Sequence, residues 1–247
     1  MKIILVIVSF VWVAMTGCGA GPGEDVGKFF KKADDADLVR ASLAGNSNKV
    51  GQILLEGRTS VDCRGYLGRT PLMFATGYGN REAVLLLLNK KADPNLQDDA
   101  GYSPISMAAR IADPWFLRVM LTNHGNANLR DKYGNTPIFG AASTFLVTNI
   151  DILIEAGADP NAQDGLGKTP MMQAANLNGF DVVYYLLKKG ADPLLKDNVG
   201  HTICYRVQHS RIDPNSPLVQ YREKVIDLLK EKGAWRIEEK VNPTSQP

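Results

Sequence analysis

The residues able to do chemistry in this chain are few. It has three histidines and three cysteines, and His201, Cys204 and His209 form the one cluster of metal-ligating types. His201 is expected on a hairpin and the other two on the helix that follows. No further ligand is in view to complete a coordination shell, so the cluster predicts no metal. The chain contains no Gly-x-Ser-x-Gly, no His-Glu-x-x-His and no phosphate-cradling glycine loop. The expectation is therefore no catalytic residue, no cofactor and no enzyme. At 247 residues, 45% hydrophobic, 22% charged and with a net charge of +2, the composition is that of a globular protein. It fits neither a disordered chain nor one that coats nucleic acid.

Cys18 is a different matter. Met1-Lys2 is a short positive region, and Ile3 to Ala14 is an apolar run. That run is too short to cross a bilayer but suits the core of a secretory signal. Met15-Thr16-Gly17-Cys18 follows directly and resembles the lipobox of bacterial lipoproteins, with Met where Leu is commoner. The resemblance implies a signal peptide over 1–17, cleavage before Cys18 and acylation of its thiol. Residues 18–27, rich in glycine, then form a flexible tether. The implied location is the periplasmic face of the envelope. Gly19, rather than Asp, after the cysteine favours the outer membrane over the inner. A second start at Met15 would leave a cytosolic form.

The elements that must position everything else are repeats. Gly68-Arg69-Thr70-Pro71, Gly101-Tyr102-Ser103-Pro104, Gly134-Asn135-Thr136-Pro137 and Gly167-Lys168-Thr169-Pro170 recur with their prolines 33 residues apart, and Gly200-His201-Thr202-Ile203 continues the series without Pro. Asp93-Pro94-Asn95, Gly157-Ala158-Asp159-Pro160-Asn161 and Gly190-Ala191-Asp192-Pro193 lie between them. The period and the Thr-Pro motif resemble the ankyrin repeat. The resemblance implies an all-α solenoid of about six helix-turn-helix repeats with hairpin loops. They fall near 34–64, 65–97, 98–130, 131–163, 164–196 and 197–235, within a domain over 28–237, and 238–247 is a tail.

Each residue type has a physical task. Pro opens the first helix of a repeat, where its missing N–H costs nothing, and Thr beside it caps the free amides. Glycine before Thr-Pro permits a positive φ. Ala75, Ala108, Ala109, Ala141, Ala142, Ala174 and Ala175 let first helices pack closely. Val84, Leu87, Leu88; Leu117, Met120, Leu121; Ile150, Leu153, Ile154; and Val183, Leu186, Leu187 form the apolar stripe of the second helices and are read as core. His124 stands where a helix-ending Gly is usual and is read as a turn residue. Phe29 and Phe30 are expected to start an N-terminal cap. The last repeat carries extra residues, placed around Arg211–Pro217. Cys63 and Cys204 fall at opposite ends of the repeat map, too far apart for a disulfide.

The resemblance also implies where a partner binds: hairpin tips and the exposed side of first helices. Those positions are Tyr66, Leu67, Arg69 and Tyr78; Asp99, Tyr102, Arg110 and Ile111; Arg130, Lys132, Tyr133 and Asn135; Leu166, Lys168, Asn176 and Leu177; and Lys196, Asn198, Val199 and His201. Tyr and Arg are enriched at binding hot spots, and six Lys or Arg against one Asp predict a partner with an acidic surface. A monomer without nucleic acid is expected before partner capture. Lipid-anchored ankyrin proteins of this size resemble immunity partners of phospholipase effectors delivered by type VI secretion. On that resemblance the partner is a lipase effector, held and neutralised by the concave face. The alternative is a periplasmic scaffold or assembly factor for an envelope enzyme.

Overall fold

The computed structural model describes residues 26–236. The lipobox with Cys18, the signal segment and the tail beyond 236 lie outside the described residues. Thirteen helices and no strand are present among those described. The chain divides into two compact units, one of Met1–Ala108 with Trp115–Asn126, the other of Ala109–Pro114 with Ala127–Pro247.

The first unit opens with α1 (Val26–Phe29), α2 (Ala33–Leu43) and α3 (Ser47–Leu55). A single 3-10 turn, Tyr66–Gly68, precedes α4 (Pro71–Gly77) and α5 (Arg81–Asn89), followed by α6 (Pro104–Ala108) and α7 (Pro114–Thr122). Val26, assigned by sequence to the tether, is instead buried at the start of α1. It packs with Phe30, Ala36, Val39 and Phe74, covering the apolar side that α2 presents there. Asn46 and Asn80 cap α3 and α5 by accepting from the Lys49 and Ala83 N–H groups.

The second unit contains α8 (Pro137–Ser143), α9 (Val147–Glu155), α10 (Pro170–Asn176), α11 (Phe180–Lys188), α12 (Ile203–Gln208) and α13 (Leu218–Glu231). Prolines open α4, α8 and α10 at their first turns. Thr70, Thr169 and Thr202 accept from the N–H groups of Met73, Met172 and Cys204. Thr136 makes no such bond, and its buried Oγ1 has no hydrogen-bond partner. The small residues at 75, 108, 109, 141, 142, 174 and 175 are all buried. So is the apolar stripe, except that Leu121 and Ile154 are only half-buried. The extra residues of the last repeat are shared between the 209–217 loop and α13, which runs 14 residues against nine in α11. Arg222 holds that loop, its Nε donating to Val207 O and Ser210 Oγ, each at 3.1 Å.

Candidate functional site

Four successive hairpins are each built on one aspartate, and Gly65 takes that place in the hairpin before them. Asp98 Oδ1 accepts from the backbone N–H of Ala100 and Tyr102, Asp131 from Tyr133 and Asn135, Asp164 from Leu166 and Lys168, and Asp197 from Val199 and His201. Burial pushes the Asp197 carboxyl up. The His201 and Val199 N–H bonds and the Arg206 guanidinium outweigh that and hold it below the usual carboxylate range. Arg206 pairs with Asp197 through Nη2 and gives Nη1 to Asn176 Oδ1 at 3.1 Å, tying the fifth repeat to the last.

Two side-chain ladders, each repeating every 33 residues, bind neighbouring hairpins at their bases. Arg64 donates to Gly68 O and Gln97 O at 3.3 and 2.9 Å. Arg130 donates to Gly134 O and Gln163 O at 3.0 and 2.7 Å. Gln163 in turn reaches Gly167 O and Lys196 O at 2.7 and 2.9 Å. In the second ladder Asn95 accepts from Asn126 N–H and donates to His124 O. Asn128 and Asn161 accept from Asp159 and Asp192 N–H. The peptides at the tips pair too, Gly165 N–H to Tyr133 O and Asn198 N–H to Leu166 O. A Cβ on Gly134 would stand 2.8 Å from Gly165 N, so a side chain there would prevent that pairing.

Against this framework the predicted partner residues separate. Tyr66, Leu67, Asp99, Tyr102, Lys132, Tyr133, Leu166, Leu177, Lys196, Asn198 and Val199 are exposed. Tyr133, Leu166 and Val199, at the same position of three successive tips, are 63%, 58% and 65% exposed. Lys132 stands 5.2 Å over the Tyr133 ring. Arg69 sits at a hairpin base, 3.7 Å from the buried Asp98 carboxylate. Tyr78 packs on the N-terminal aromatic cluster. Exposed Arg130 belongs to the ladder described above, and Asn135 donates to both Asp131 oxygens. Half-buried Lys168 gives its N–H to Asp164, and Asn176, exposed, accepts from Arg206.

Arg110 and Ile111 were expected on the first helix of their repeat. That helix ends at Ala108, and both lie on the loop that follows. The buried Asn149 amide donates to Ala109 O and Ile111 O, at 3.1 and 2.8 Å, which holds the loop out of helical register. Arg110 lies across Gly140, where a Cβ would meet its Cγ at 3.0 Å, and donates to Ser143 Oγ. The excess positive charge is also smaller than the selected positions suggested. Six Lys or Arg face not Asp99 alone but also Asp98, Asp131, Asp164 and Asp197, which the hairpins need as acceptors.

The cluster His201, Cys204 and His209 is not brought together as a ligand set. The Tyr205 ring stacks between the two imidazoles, 3.6 Å from His201 and 4.1 Å from His209. The buried Cys204 thiol donates to Ala234 O at 2.9 Å. Among the described residues no group of three or more His, Cys, Asp or Glu could hold a metal ion. Cys63 and Cys204 are free thiols, and burial pushes Cys63 up to about 12. A shallow groove along α3, lined by Ser47, Gly51, Leu55, Glu56 and Lys90 among others, contains no pairing of nucleophile and base. The ladder residues Arg64, Gln97, Arg130 and Gln163, with Asn95, Asn128 and Asn161, recur at one period in the sequence. That recurrence is the signal by which they could have been found.

A family model for ankyrin repeats in three copies matches residues 105–197, and one for ankyrin repeats in many copies matches 54–108. Together they take in more than half of the chain. Neurogenic locus notch homolog protein 1 of Danio rerio is 39% identical over 74 residues, 30% of this chain and 3% of that protein. The mitochondrial disaggregase of Homo sapiens is 43% identical over 65 residues, 26% of this chain and 9% of that protein. The chain spans a tenth or less of the curated relatives it matches. A crystal structure of the ankyrin repeat protein EF0377 is similar at a TM-score of 0.67 and 26% identity, covering 81% of this chain and 99% of that one. With these matches on its repeats, its capped helices and its aspartate-based hairpins, the chain belongs to the ankyrin-repeat family.

Proposed function

We propose that this chain is a lipid-anchored envelope protein that captures and neutralises a protein partner, acting as the immunity protein of a phospholipase effector delivered by type VI secretion. Ankyrin repeats are protein-interaction scaffolds, and that is the general part of the reading. The observation that carries capture is the run of exposed apolar tips, Tyr133, Leu166 and Val199, on hairpins whose bases are fixed by hydrogen bonds. A rigid scaffold presenting aromatic and aliphatic side chains loses little entropy on binding. Lys132, Lys168 and Lys196 beside those tips favour an acidic partner surface and speed encounter more than they add affinity. The anchor is supported by the apolar run and lipobox ending at Cys18, and the partner class by the combination of anchor and repeats.

The test mixes the chain from Gly19 onward with the lipase encoded in the neighbouring reading frame. A stoichiometric complex and loss of lipase activity are expected. Absence of both ends the immunity reading and leaves an envelope scaffold. That second reading draws on the breadth of the repeat matches, which extend to a Notch homolog and a disaggregase. Mass spectrometry of the cellular protein tests the anchor separately, with acylated Cys18 as the expected N-terminus.

A further inference from the structure

We propose that the outward face of α3 pairs antiparallel with α3 of a second copy of this chain, Leu55 of each copy seated over Gly51 of the other. The helices α3, α5, α7, α9 and α11 are each nine residues long, so their positions align from end to end. At the ninth position Asn89, Thr122, Glu155 and Lys188 are polar, and of the five helices only α3 places an apolar residue there, Leu55. At the fifth position Leu85, Arg118, Asp151 and Tyr184 all carry side chains, and only α3 has glycine, Gly51. One helix has thus gained a knob and a hole together. They stand four residues apart, on one face of the helix.

No contact among the described residues accounts for either. Leu55 is 89% exposed, while Val50 and Ile53, on other sides of the same helix, reach the core. Gly51 does not have a positive φ. A Cβ there would meet the flexible end of Lys90 at 3.7 Å, an ordinary contact. Glycine weakens a helix interior relative to alanine, so its presence costs α3 stability that the packing of this chain does not require. An apolar side chain left in water and a side chain left out where there is room both point outside the chain.

The occupant follows from the knob and the hole lying on the same helix. Two copies of α3 related by a two-fold axis run antiparallel, and each Leu55 then meets the other Gly51 at once. A contact of this kind is self-complementary and closes at two copies. The groove along α3 has Ser47, Asn48, Gln52 and Lys90 around these two residues, which gives it a polar rim. The same rotation sets Lys49 of each copy beside Glu56 of the other, opposite charges rather than like ones; within its own chain Glu56 is bonded by Arg58 and Gln52. One helix face buries less than the roughly 1,200 Å² at which stable interfaces begin, so the dimer is a weak one. No residue of α3 belongs to the hairpin surface assigned to partner capture, and the two readings stand or fall separately.

The chain from Gly19 onward keeps every side chain that is buried among the described residues, since these lie between Val26 and Ala234. Sedimentation of that protein from about 1 μM to about 1 mM should show reversible dimerisation. Leu55→Asn and Gly51→Leu, which install the residues that α5 has at those positions, should each raise the dissociation constant about tenfold or more. Gly51→Leu should melt no lower than wild type, so that loss of the dimer is separated from loss of the fold. The register is read by mixing the Gly51→Cys and Leu55→Cys proteins under mild oxidation, where the mixed disulfide should form faster than either symmetric one. A monomer throughout the concentration range overturns the proposal, as does a dimer that both variants leave unchanged. Faster cross-linking between two Leu55→Cys chains overturns it as well, because that contact is not the one described. If wild type stays monomeric and the two variants instead weaken capture of an effector, the groove receives that partner and the second copy is excluded.

Discussion

At the base of the fifth hairpin, Asp164 accepts two backbone N–H groups and Gln163 bridges carbonyls of its own hairpin and the next. Two residues beyond Asp164, at the tip, Leu166 is 58% exposed. The same contrast holds in the fourth and last repeats, between Asp131 and Tyr133 and between Asp197 and Val199. Base and tip are neighbours in sequence yet answer to different demands. The base must satisfy polar groups that stacking removes from water, whereas the tip faces solvent and is free to vary with a partner. Charged or polar character alone therefore does not mark a binding residue here. Arg130 and Tyr133 are both exposed and three residues apart, but Arg130 also bonds hairpin to hairpin.

The sharpest way to break this comparison is at a base aspartate. Asp164→Ala removes the acceptor for two N–H groups and is expected to cost about 3 kcal/mol, read by thermal or denaturant unfolding. A cost near zero would mean the base is as permissive as the tip. The same kind of bond can be read through pH at Asp197, whose carboxyl is held below its usual range in the fold. A depressed carboxylate contributes stability above its unfolded value, and that stability is lost as pH falls through the folded one. Acid destabilisation below about pH 4 should thus be smaller in Asp197→Asn than in wild type. Gln163→Ala should cost about 1–2 kcal/mol, because it strips two carbonyls of a donor but leaves them near water.

Leu67 offers a smaller and opposite effect. Its φ of 59° and that of Gly68 at 71° place two successive residues in the left-handed region, where a branched side chain is disfavoured by roughly 1 kcal/mol. Leu67→Gly should therefore stabilise the first unit by up to about that amount, while removing an exposed apolar side chain from a tip. A gain in stability with a loss of partner affinity would show Leu67 retained for binding. Smallest of all in stability is Tyr133→Ser/Leu166→Ser/Val199→Ser, expected within about 0.5 kcal/mol of wild type. Its affinity for the proposed effector partner should fall by more than tenfold. Unchanged affinity would move the binding surface away from the tips.

Much of the fold could be read from the residues, for local reasons. Thr-Pro at 70–71 and 169–170 caps and opens helices where its chemistry requires. The positive φ of Gly68, Gly101, Gly134, Gly167 and Gly200 follows from their place before the cap. Reading failed where a contact between repeats overrode the local pattern. Arg110 and Ile111 left the helix because the Asn149 amide, some forty residues on, takes the carbonyls of that loop. Val26 joined the core because the apolar side of the first repeat, with Phe30, Ala36, Val39 and Phe74, offers it a buried place. Arg69 and Tyr78 had the composition of a binding site, but a buried carboxylate and an aromatic cluster hold them.

The sequence by itself determined the repeat, where the Thr-Pro helices begin and the apolar side of each second helix, because period, caps and glycine turns are properties of a few adjacent residues. Only the tertiary structure decided which polar side chains stitch repeats together and which project from them. Arg64, Arg69, Arg110 and Arg130 are one residue type with four sets of partners. What separates them is the carbonyl, carboxylate or glycine that stacking brings within reach, and those atoms come from elements as far as 33 residues along the chain.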